Sequence, residues 1–362
     1  MKTVLFDGYF GMANAGDDAF CVVADLLARE RGLQARYVAR PSELPHPLSP
    51  EAALLPSASR LPGATRLRKA IAVARTDALI HFGGSTLRRM NRHRRDQLLA
   101  LRWTRTPAAA IGVSVGPFRS SRDAADIRAF LSRFALAAVR DQASVERCRE
   151  LGLTVVPGAD PAYLLPPLPA TAPRPDQLVL GVAPCGSESR SGGDPELERR
   201  RQQNLEAAIR AVVERTGCAV RLIALNRHPH WGDVGLVGDL AARLAGVAET
   251  EVVVHSARLD DTRAAIAGCQ ALIAVRLHGA ILAHGLGVPI ATVAYHEKCS
   301  DFARDVGVPE ALRFDAEGPR ADAHEALAAL LRDPGLACTK SGREMASVAR
   351  AAAEQVFGAL GL

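Results

Sequence analysis

Short runs of apolar residues alternate with stretches of helical periodicity along the whole chain. Residues 3–10 (TVLFDGYF) read as an opening strand, and residues 18–31 follow with apolar positions at helical spacing that end at Gly32. Apolar runs at 78–82, 109–115 and 154–156 read as further strands, with 123–139 as a helix. Residues 41–62 are proline-rich and read as a surface excursion. The stretch LPPLPATAPRP at 165–175 carries five prolines, which interrupt helices and central strands alike. Beyond it a second series of strands is predicted at 179–183, 220–225, 251–255, 271–275 and 289–294, with helices at 195–216 and 233–244. An amphipathic helix at 341–360 closes the chain. Strands alternating with helices form parallel sheets covered on both faces. The pattern predicts an α/β protein of two doubly wound, Rossmann-like parallel-sheet domains facing across a cleft. Their expected bounds are 1–165 and 177–340, joined by a linker at 166–176 and followed by a C-terminal helix at 341–362.

A chain of 362 residues is long enough for two separate cores, and 48% hydrophobic with 23% charged residues is ordinary for a folded protein. Aromatics make up 4%, too few for the stacking platforms that hold single-stranded nucleic acid, so no nucleic-acid partner is expected. The net charge of +6 owes much to arginine, as in Arg88, Arg89, Arg92, Arg94 and Arg95. Such a run is either a solvated helix face or an attraction for an anionic substrate, polymer or lipid surface. Seven scattered cysteines with no CxxC pair suggest reduced, mostly buried thiols in a cytoplasmic protein. The first residues read as a strand rather than a signal peptide, and no apolar run approaches the roughly 20 residues needed to span a bilayer. A soluble protein, peripheral to a membrane at most, is expected.

In open parallel sheets ligands bind outside the carboxyl ends of the strands, and the unusual polar residues fall there. Gly8-Tyr9-Phe10-Gly11-Met12-Ala13-Asn14-Ala15-Gly16-Asp17-Asp18 follows the first strand. It offers tight turns and a helix N-terminus to an anion, or simply a turn with Asp17 or Asp18 as a cap. It matches neither the dinucleotide glycine pattern nor a Walker loop. His81-Phe82-Gly83-Gly84-Ser85-Thr86 and Gly112-Val113-Ser114-Val115-Gly116-Pro117 follow later strands with the same logic. Arg140 ends an apolar segment before Asp141, with Gly158-Ala159-Asp160-Pro161 beyond. It suits bidentate recognition of a carboxylate or phosphate, and equally an ion pair with Asp141 or Asp160.

The most informative run is Ala271-Leu272-Ile273-Ala274-Val275-Arg276-Leu277-His278-Gly279-Ala280. Burying an unpaired arginine here is costly, so Arg276 needs an anionic partner from protein or ligand. Residues two apart at a strand end point to one side, so Arg276 and His278 can address one substrate. Histidine suits proton transfer near neutrality. The bland alternative is an Arg–Asp pair beside a helix-capping histidine. Tyr295-His296-Glu297-Lys298 adds a cation and a base at another strand end, or a solvated turn. The His228 and His230 pair suggests a metal, but no CxxC, HExxH or aspartate-rich loop accompanies it, and no metal is expected.

In order and spacing these motifs resemble the polysaccharide pyruvyl transferase family, over nearly the whole chain. The matching residues are Gly8, Tyr9, Gly11, Asn14, Gly16 and Asp17; Gly83, Gly84 and Ser85; Gly116 and Pro117; Arg140, Asp141 and Ser144; Asp160 and Pro161; Arg276, Leu277 and His278; Tyr295 and Lys298. The resemblance implies a fold similar to GT-B glycosyltransferases. It also implies phosphoenolpyruvate as co-substrate, a glycan or lipid-linked sugar as acceptor, a ketal as product and no cofactor. His278 is then the candidate general acid, with Arg276 beside it and Asp17 to orient or deprotonate the acceptor hydroxyl. Arg140, Arg276, Lys298, Gly83, Gly84 and Ser85 are the donor-binding candidates, and Asn14, Asp17, Ser114 and Tyr295 lie on the acceptor side. The chain departs from the family at Thr86-Leu87-Arg88-Arg89, where cell-wall enzymes tend to have a glutamine and an acidic residue, and at Ser114, where several have glutamine. Two other readings of the same residues are a GT-B glycosyltransferase using a nucleotide sugar and a non-catalytic glycan-binding protein of the same fold.

Overall fold

The computed structural model describes residues 1–54, 64–168, 177–186, 193–333, 335–336 and 338–362, the side chains of 64–67 and 69 excepted. Most of the expected linker at 166–176, and the end of the proline-rich excursion at 41–62, lie outside the described residues. The chain forms two compact units. The first comprises Met1–Met12, Asp17–Leu165 and Ala346–Leu362, and the second Ala13–Gly16 and Pro166–Met345.

Unit 1 contains a six-stranded sheet in the order β2-β1-β3-β4-β5-β6. Its strands are β1 Thr3–Asp7, β2 Gln34–Tyr37, β3 Ala78–Phe82, β4 Ala108–Val113, β5 Leu136–Val139 and β6 Val156–Pro157, all paired in parallel. Every residue of β3 and β4 is buried, as expected of central strands covered on both faces. Phe130, Ile127, Val113 and Val139 pack one side of the core, and Leu5, Leu79 and Leu101 another. Residues Ala346–Leu362, which hold most of the closing helix Gly342–Ala359, complete this unit: Val356 and Phe357 are buried, and the Arg31 guanidinium sits 4.2 Å from the Phe357 ring centre.

Unit 2 contains a second parallel sheet in the order β12-β11-β10-β7-β8-β9. Its strands are β7 Val179–Ala183, β8 Ala219–Ala224, β9 Thr250–Val254, β10 Ala271–Ala274, β11 Ile290–Val293 and β12 Arg313–Phe314. β7, β10 and β11 are wholly buried, whereas the edge strand β9 is half-exposed.

The strand order reverses between β1 and β3 in unit 1 and between β7 and β10 in unit 2. Loops leaving neighbouring strands there run to opposite faces of the sheet and open a crevice at the carboxyl ends. The loops after β1, β3 and β10 carry the glycine turns and the Arg276-Leu277-His278 run.

Several element boundaries differ from the sequence expectation. The opening strand ends at Asp7, because Gly8 begins the turn. The segment 123–139 is not one helix: Ser121–Leu131 is helical and Leu136–Val139 is the central strand β5. Its alanine-rich LAAV has no breaker or β-branched run to separate it from the helical pattern. The first helix begins at Ala15, so Asp17 and Asp18 lie inside its first turn rather than capping it, near the positive end of the helix dipole.

Candidate active site

In unit 1 the end of β1 is Asp7, whose carboxylate is buried and fully engaged. His93 Nε2 lies 3.0 Å from Oδ1, Gln97 Nε2 donates to Oδ2 at 2.8 Å, and His81 Nδ1 is 3.4 Å from Oδ2. Burial alone would raise the Asp7 pKa, but His93, His81 and Gln97 hold it well below the carboxylate range. Burial takes the His81 pKa down to about 4 even with Asp7 beside it, so this imidazole is neutral near pH 7.

After β3 the chain turns through Gly83 (φ 68°) and Gly84 (φ 79°), a left-handed pair that side chains resist. A Cβ on Gly83 would lie 2.5 Å from the Phe20 ring. The Gly83 N–H donates to Ile111 O at 2.8 Å, which stitches the turn to β4. Ser85 is thereby set against Arg140. The Arg140 guanidinium donates to Ser85 Oγ (2.9 Å), Ser114 Oγ (2.8 Å) and Asp160 Oδ2 (2.6 Å), and Ser114 Oγ donates to Asp141 Oδ2. Arg140 therefore ties together the loops that follow β3, β4, β5 and β6, and its ion pair is with Asp160. Beside Ser85 opens a cavity of about 260 Å³, lined by Tyr9, Thr86, Asn91 and four arginines.

In unit 2, β10 ends at Ala274, and Arg276 is the N-cap residue of the helix Leu277–Gly285. Arg276 and His278 thus do not share a strand face, as the spacing had suggested; His278 belongs to the first helical turn. Arg276 Nε and Nη2 donate to Asp233 Oδ2 and Oδ1 at 2.7 and 2.6 Å. Asp233 is itself 0% exposed and also accepts from the Asn226 N–H at 3.1 Å. Burial opposes the Arg276 charge, but Cys185 and Asp233 more than offset it, so its pKa stands above the ordinary value. The arginine is a rigid, permanently charged fixture.

Around it, Tyr295 follows β11, with Arg201 and Lys298 on its ring at 5.7 and 5.9 Å from the ring centre. Burial and the neighbouring Cys185 and Cys299 push the Tyr295 phenol well above its ordinary pKa, so it stays protonated. His296 caps the helix Glu297–Val306 by accepting the Lys298 N–H, which fixes where the lysine begins. The segment Ala13–Gly16 is part of this unit: Ala15 N–H donates to Leu225 O and Arg227 N–H to Ala13 O, each at 2.9 Å. It lies so close to His278 that a Cβ on Gly16 would be 2.0 Å from Nδ1. Only glycine admits that approach.

The predicted residues divide between the units. Gly83, Gly84, Ser85, Ser114 and Arg140 come together in unit 1, where Asp17 is buried in its own helix turn. Asn14, Arg276, His278, Tyr295 and Lys298 fall in unit 2. Sequence reasoning missed Asp233, Arg201 and Cys185, which reach Arg276 and Tyr295 through the fold. It also left Arg94 among the solvated arginines, although Arg94 is in phase with the buried Gln97 and Leu101 of the helix Arg92–Thr104. The His228 ring stacks on Trp231 at 4.5 Å, and its Nδ1 accepts two backbone N–H groups. No group of three metal-ligating side chains occurs among the described residues. All seven cysteines are free, and no described helix is long and apolar enough to cross a membrane.

With this geometry in view, the chain was compared with known proteins. It is 27% identical over 222 residues to the amylovoran biosynthesis protein AmsJ of Erwinia amylovora, a match covering 56% of this chain and 53% of that protein. The chain thus spans about half the length of that relative. Among solved structures, a putative UDP-N-acetylglucosamine 2-epimerase from Listeria monocytogenes superposes with a TM-score of 0.64 at 12% identity, covering 99% of this chain and 96% of the other. The UDP-GlcNAc 2-epimerase of Neisseria meningitidis gives 0.61 at 10% identity, covering 99% and 100%. These likenesses show the fold: two Rossmann-like domains of the GT-B type. The family model described as polysaccharide pyruvyl transferase matches residues 14–297.

Proposed function

Because the chain belongs to the polysaccharide pyruvyl transferase family, we propose that it moves a pyruvyl group from phosphoenolpyruvate to a sugar of a glycan or lipid-linked precursor, releasing phosphate. The observation that carries this reading is the set of cations gathered at Tyr295, which Arg276, Arg201 and Lys298 adjoin in the unit that also holds His278. Arg276 is locked by Asp233, Arg201 and Lys298 flank Tyr295, and His278 follows two residues after Arg276. Phosphoenolpyruvate bears a carboxylate and a phosphate, and guanidinium and ammonium groups are their natural ligands.

The reaction balances without a cofactor. His278 gives its proton to the vinyl CH₂, which becomes a methyl group, and C2 gains oxocarbenium character. A sugar hydroxyl oxygen attacks C2, and its proton passes to the phosphate that leaves. The C2–O bond to phosphate then breaks, and a second hydroxyl of the same sugar closes the ketal on C2, giving its proton to the neutral His278 and so restoring the acid. Fixed cations serve each stage by opposing the charge that builds on the departing phosphate.

The test is phosphate release from phosphoenolpyruvate in the presence of fractionated glycan acceptors. His278→Gln is expected to abolish turnover while phosphoenolpyruvate still binds. The reading fails if no acceptor fraction supports release and phosphoenolpyruvate neither binds nor raises the melting temperature. Stabilisation by a nucleoside diphosphate instead would indicate a nucleotide-sugar enzyme.

A lipid-linked acceptor brings the protein to the inner face of a membrane. The helix Arg92–Thr104 suits such a contact: Arg92, Arg95, Leu99, Arg102 and Trp103 are all exposed, with Trp103 at 86%. Pelleting with anionic liposomes, lost in Trp103→Ser, is the expected result. Absence of pelleting at low salt removes the membrane from the proposal.

A further inference from the structure

The proposed reaction gives no part to the loop at 226–233, which follows β8 in unit 2. This loop is tied shut at its root. The Asp233 N–H donates to Asn226 O at 2.6 Å, the Asn226 N–H donates to Asp233 Oδ2 at 3.1 Å, and Asn226 Oδ1 accepts the His228 N–H at 2.9 Å. A Cβ on Gly232 would lie 2.4 Å from His228 O and 2.8 Å from Asn226 O, so the chain folds onto itself as closely as glycine permits. Ala13 and Ala15 clamp the same root, through the bonds to the Arg227 N–H and Leu225 O.

This tight loop presents a pair of rings to solvent. His228 and Trp231 stack with ring centres 4.5 Å apart and planes 8° from parallel. His228 Nδ1 accepts the N–H groups of His230 and Trp231, each at 3.2 Å, which sets the imidazole and leaves its own N–H on Nε2, at the far edge. Trp231 is nevertheless 50% exposed, and among the described residues it is the only exposed Phe, Tyr or Trp of unit 2. The half of an indole that stays in water adds nothing to the stability of the fold. Backing the ring with a fixed imidazole does remove motion that a ligand would otherwise have to freeze.

We propose that Trp231, backed by His228, is a stacking platform for a neutral sugar ring of the acceptor, and so helps to set which glycan is pyruvylated; the assignment to the acceptor rests on the pyruvyl-transfer reading. The C–H groups on one side of a hexose form an apolar face that lies on an indole, and its hydroxyl oxygens accept from N–H groups at the rim, which Trp231 Nε1 and His228 Nε2 supply. A face that carries axial hydroxyls is held off, so stacking selects among hexoses as well as adding affinity. A nucleobase could use the same indole face, but it brings phosphates with it. The helix Val234–Leu244, which begins where the loop ends, has Asp233 as its N-cap residue, so a phosphate there meets a carboxylate. The platform also stands close to the groups assigned to the donor. Trp231 is two residues from Asp233, at most about 7 Å along the backbone, and Asp233 holds Arg276 through two hydrogen bonds. The segment that clamps the loop, Ala13–Gly16, is also the one that abuts His278.

The experiment has two arms on the full-length protein. In the first, Trp103→Phe leaves Trp231 as the sole tryptophan, so its emission reports on this loop. Methyl β-galactoside, methyl β-glucoside and methyl α-mannoside are titrated beside uridine and adenosine. At least one hexoside is expected to shift the emission, and neither nucleoside. In the second, phosphate release is followed with the active glycan fraction. Trp231→Ala should raise the acceptor KM about tenfold with kcat and the phosphoenolpyruvate KM unaltered, and Trp231→Phe should keep most of the wild-type KM. His228→Ala, which loosens the indole without removing it, should raise the KM severalfold. Trp231 is half in solvent, so its variants fold, and an unchanged melting temperature checks this. A wild-type KM in Trp231→Ala, or a fall in kcat alone, overturns the platform and leaves pyruvyl transfer standing. A shift with a nucleoside and none with a hexoside also overturns it, and marks a nucleotide site. Where neither probe shifts the emission, the KM decides. A hexoside shift in a protein that releases no phosphate with any acceptor overturns pyruvyl transfer and leaves the sugar platform standing, and the absence of both responses overturns both.

Discussion

Gly16→Ala tests the role of His278 without touching its ring. A Cβ at position 16 would stand 2.0 Å from His278 Nδ1 and 2.2 Å from Cγ. Carbon and nitrogen atoms settle at about 3.5 Å, so the imidazole must retreat by roughly 1.5 Å. A misplacement of about 1 Å in a reacting group costs on the order of a hundredfold in rate, so kcat should fall about a hundredfold or more, near 2.7 kcal/mol of barrier. Stability moves much less. Overpacking costs about 1–3 kcal/mol, and alanine recovers about 0.5–1 kcal/mol over glycine in a helix. Gly16 lies in the first turn of Ala15–Glu30 at an ordinary φ, so no backbone strain is added. The assay is phosphate release at saturating acceptor, beside calorimetric binding of phosphoenolpyruvate. Arg276, Arg201 and Lys298 are untouched, so binding should persist while turnover collapses. Wild-type kcat in a folded Gly16→Ala protein would refute His278 as the proton donor.

Asp233→Ala leaves the buried Arg276 without its bidentate partner and should destabilise the protein by about 3–5 kcal/mol, read from urea midpoints; a loss under 1 kcal/mol would show that Arg276 does not depend on this pair. Arg140→Ala and Asp160→Ala should each cost stability, and the double variant less than their sum, a coupling of about 1–3 kcal/mol. Additive losses, with phosphoenolpyruvate affinity falling in Arg140→Ala alone, would instead make Arg140 a donor ligand. His81 gives a pH dependence. Its folded pKa of about 4 lies below the ordinary histidine value of 6.5, so between these values the unfolded chain binds the proton that the folded one refuses. Stability is therefore complete above pH 6.5 and falls as the pH drops towards 4, by at most about 3 kcal/mol from this group. The difference in unfolding free energy between wild type and His81→Asn, followed from pH 7 to 4.5, should change with that sign, and a constant difference would sink the assignment.

What the sequence revealed follows from what is local. Apolar runs of four to six residues, such as those that became β3, β4 and β10, declare buried strands by composition, and the turns after them declare themselves by glycine. Partners were not legible. Asp233 lies 43 residues from Arg276, and nothing in either segment marks the pair until β8 and β10 bring their loops together. The expectation that Arg276 needs an anion was sound physics; whether protein or ligand supplies it is a tertiary fact. The membership of Ala13–Gly16 in unit 2 and of Ala346–Leu362 in unit 1 was equally invisible, since periodicity says that a helix is amphipathic and not which core it covers. Arg94 is the instructive case. Its phase with Gln97 and Leu101 predicts an inward face, but an arginine there contradicts the hydrophobic pattern.

That contradiction and the Arg276 run point to the same physical principle. Each sheet has one place where loops part and leave a crevice, and a chain gains nothing for stability by lining such a place with buried cations. Unit 2 sets a locked arginine and a histidine there, with a phenol kept protonated. Unit 1 sets four arginines and a neutral His81 nearby. The first set places a histidine in a first helical turn beside a fixed cation, whereas the His81 imidazole of the second is neutral near pH 7. On the proposed reading, protonation of the donor therefore belongs to unit 2. Substitutions at His278 should then change kcat.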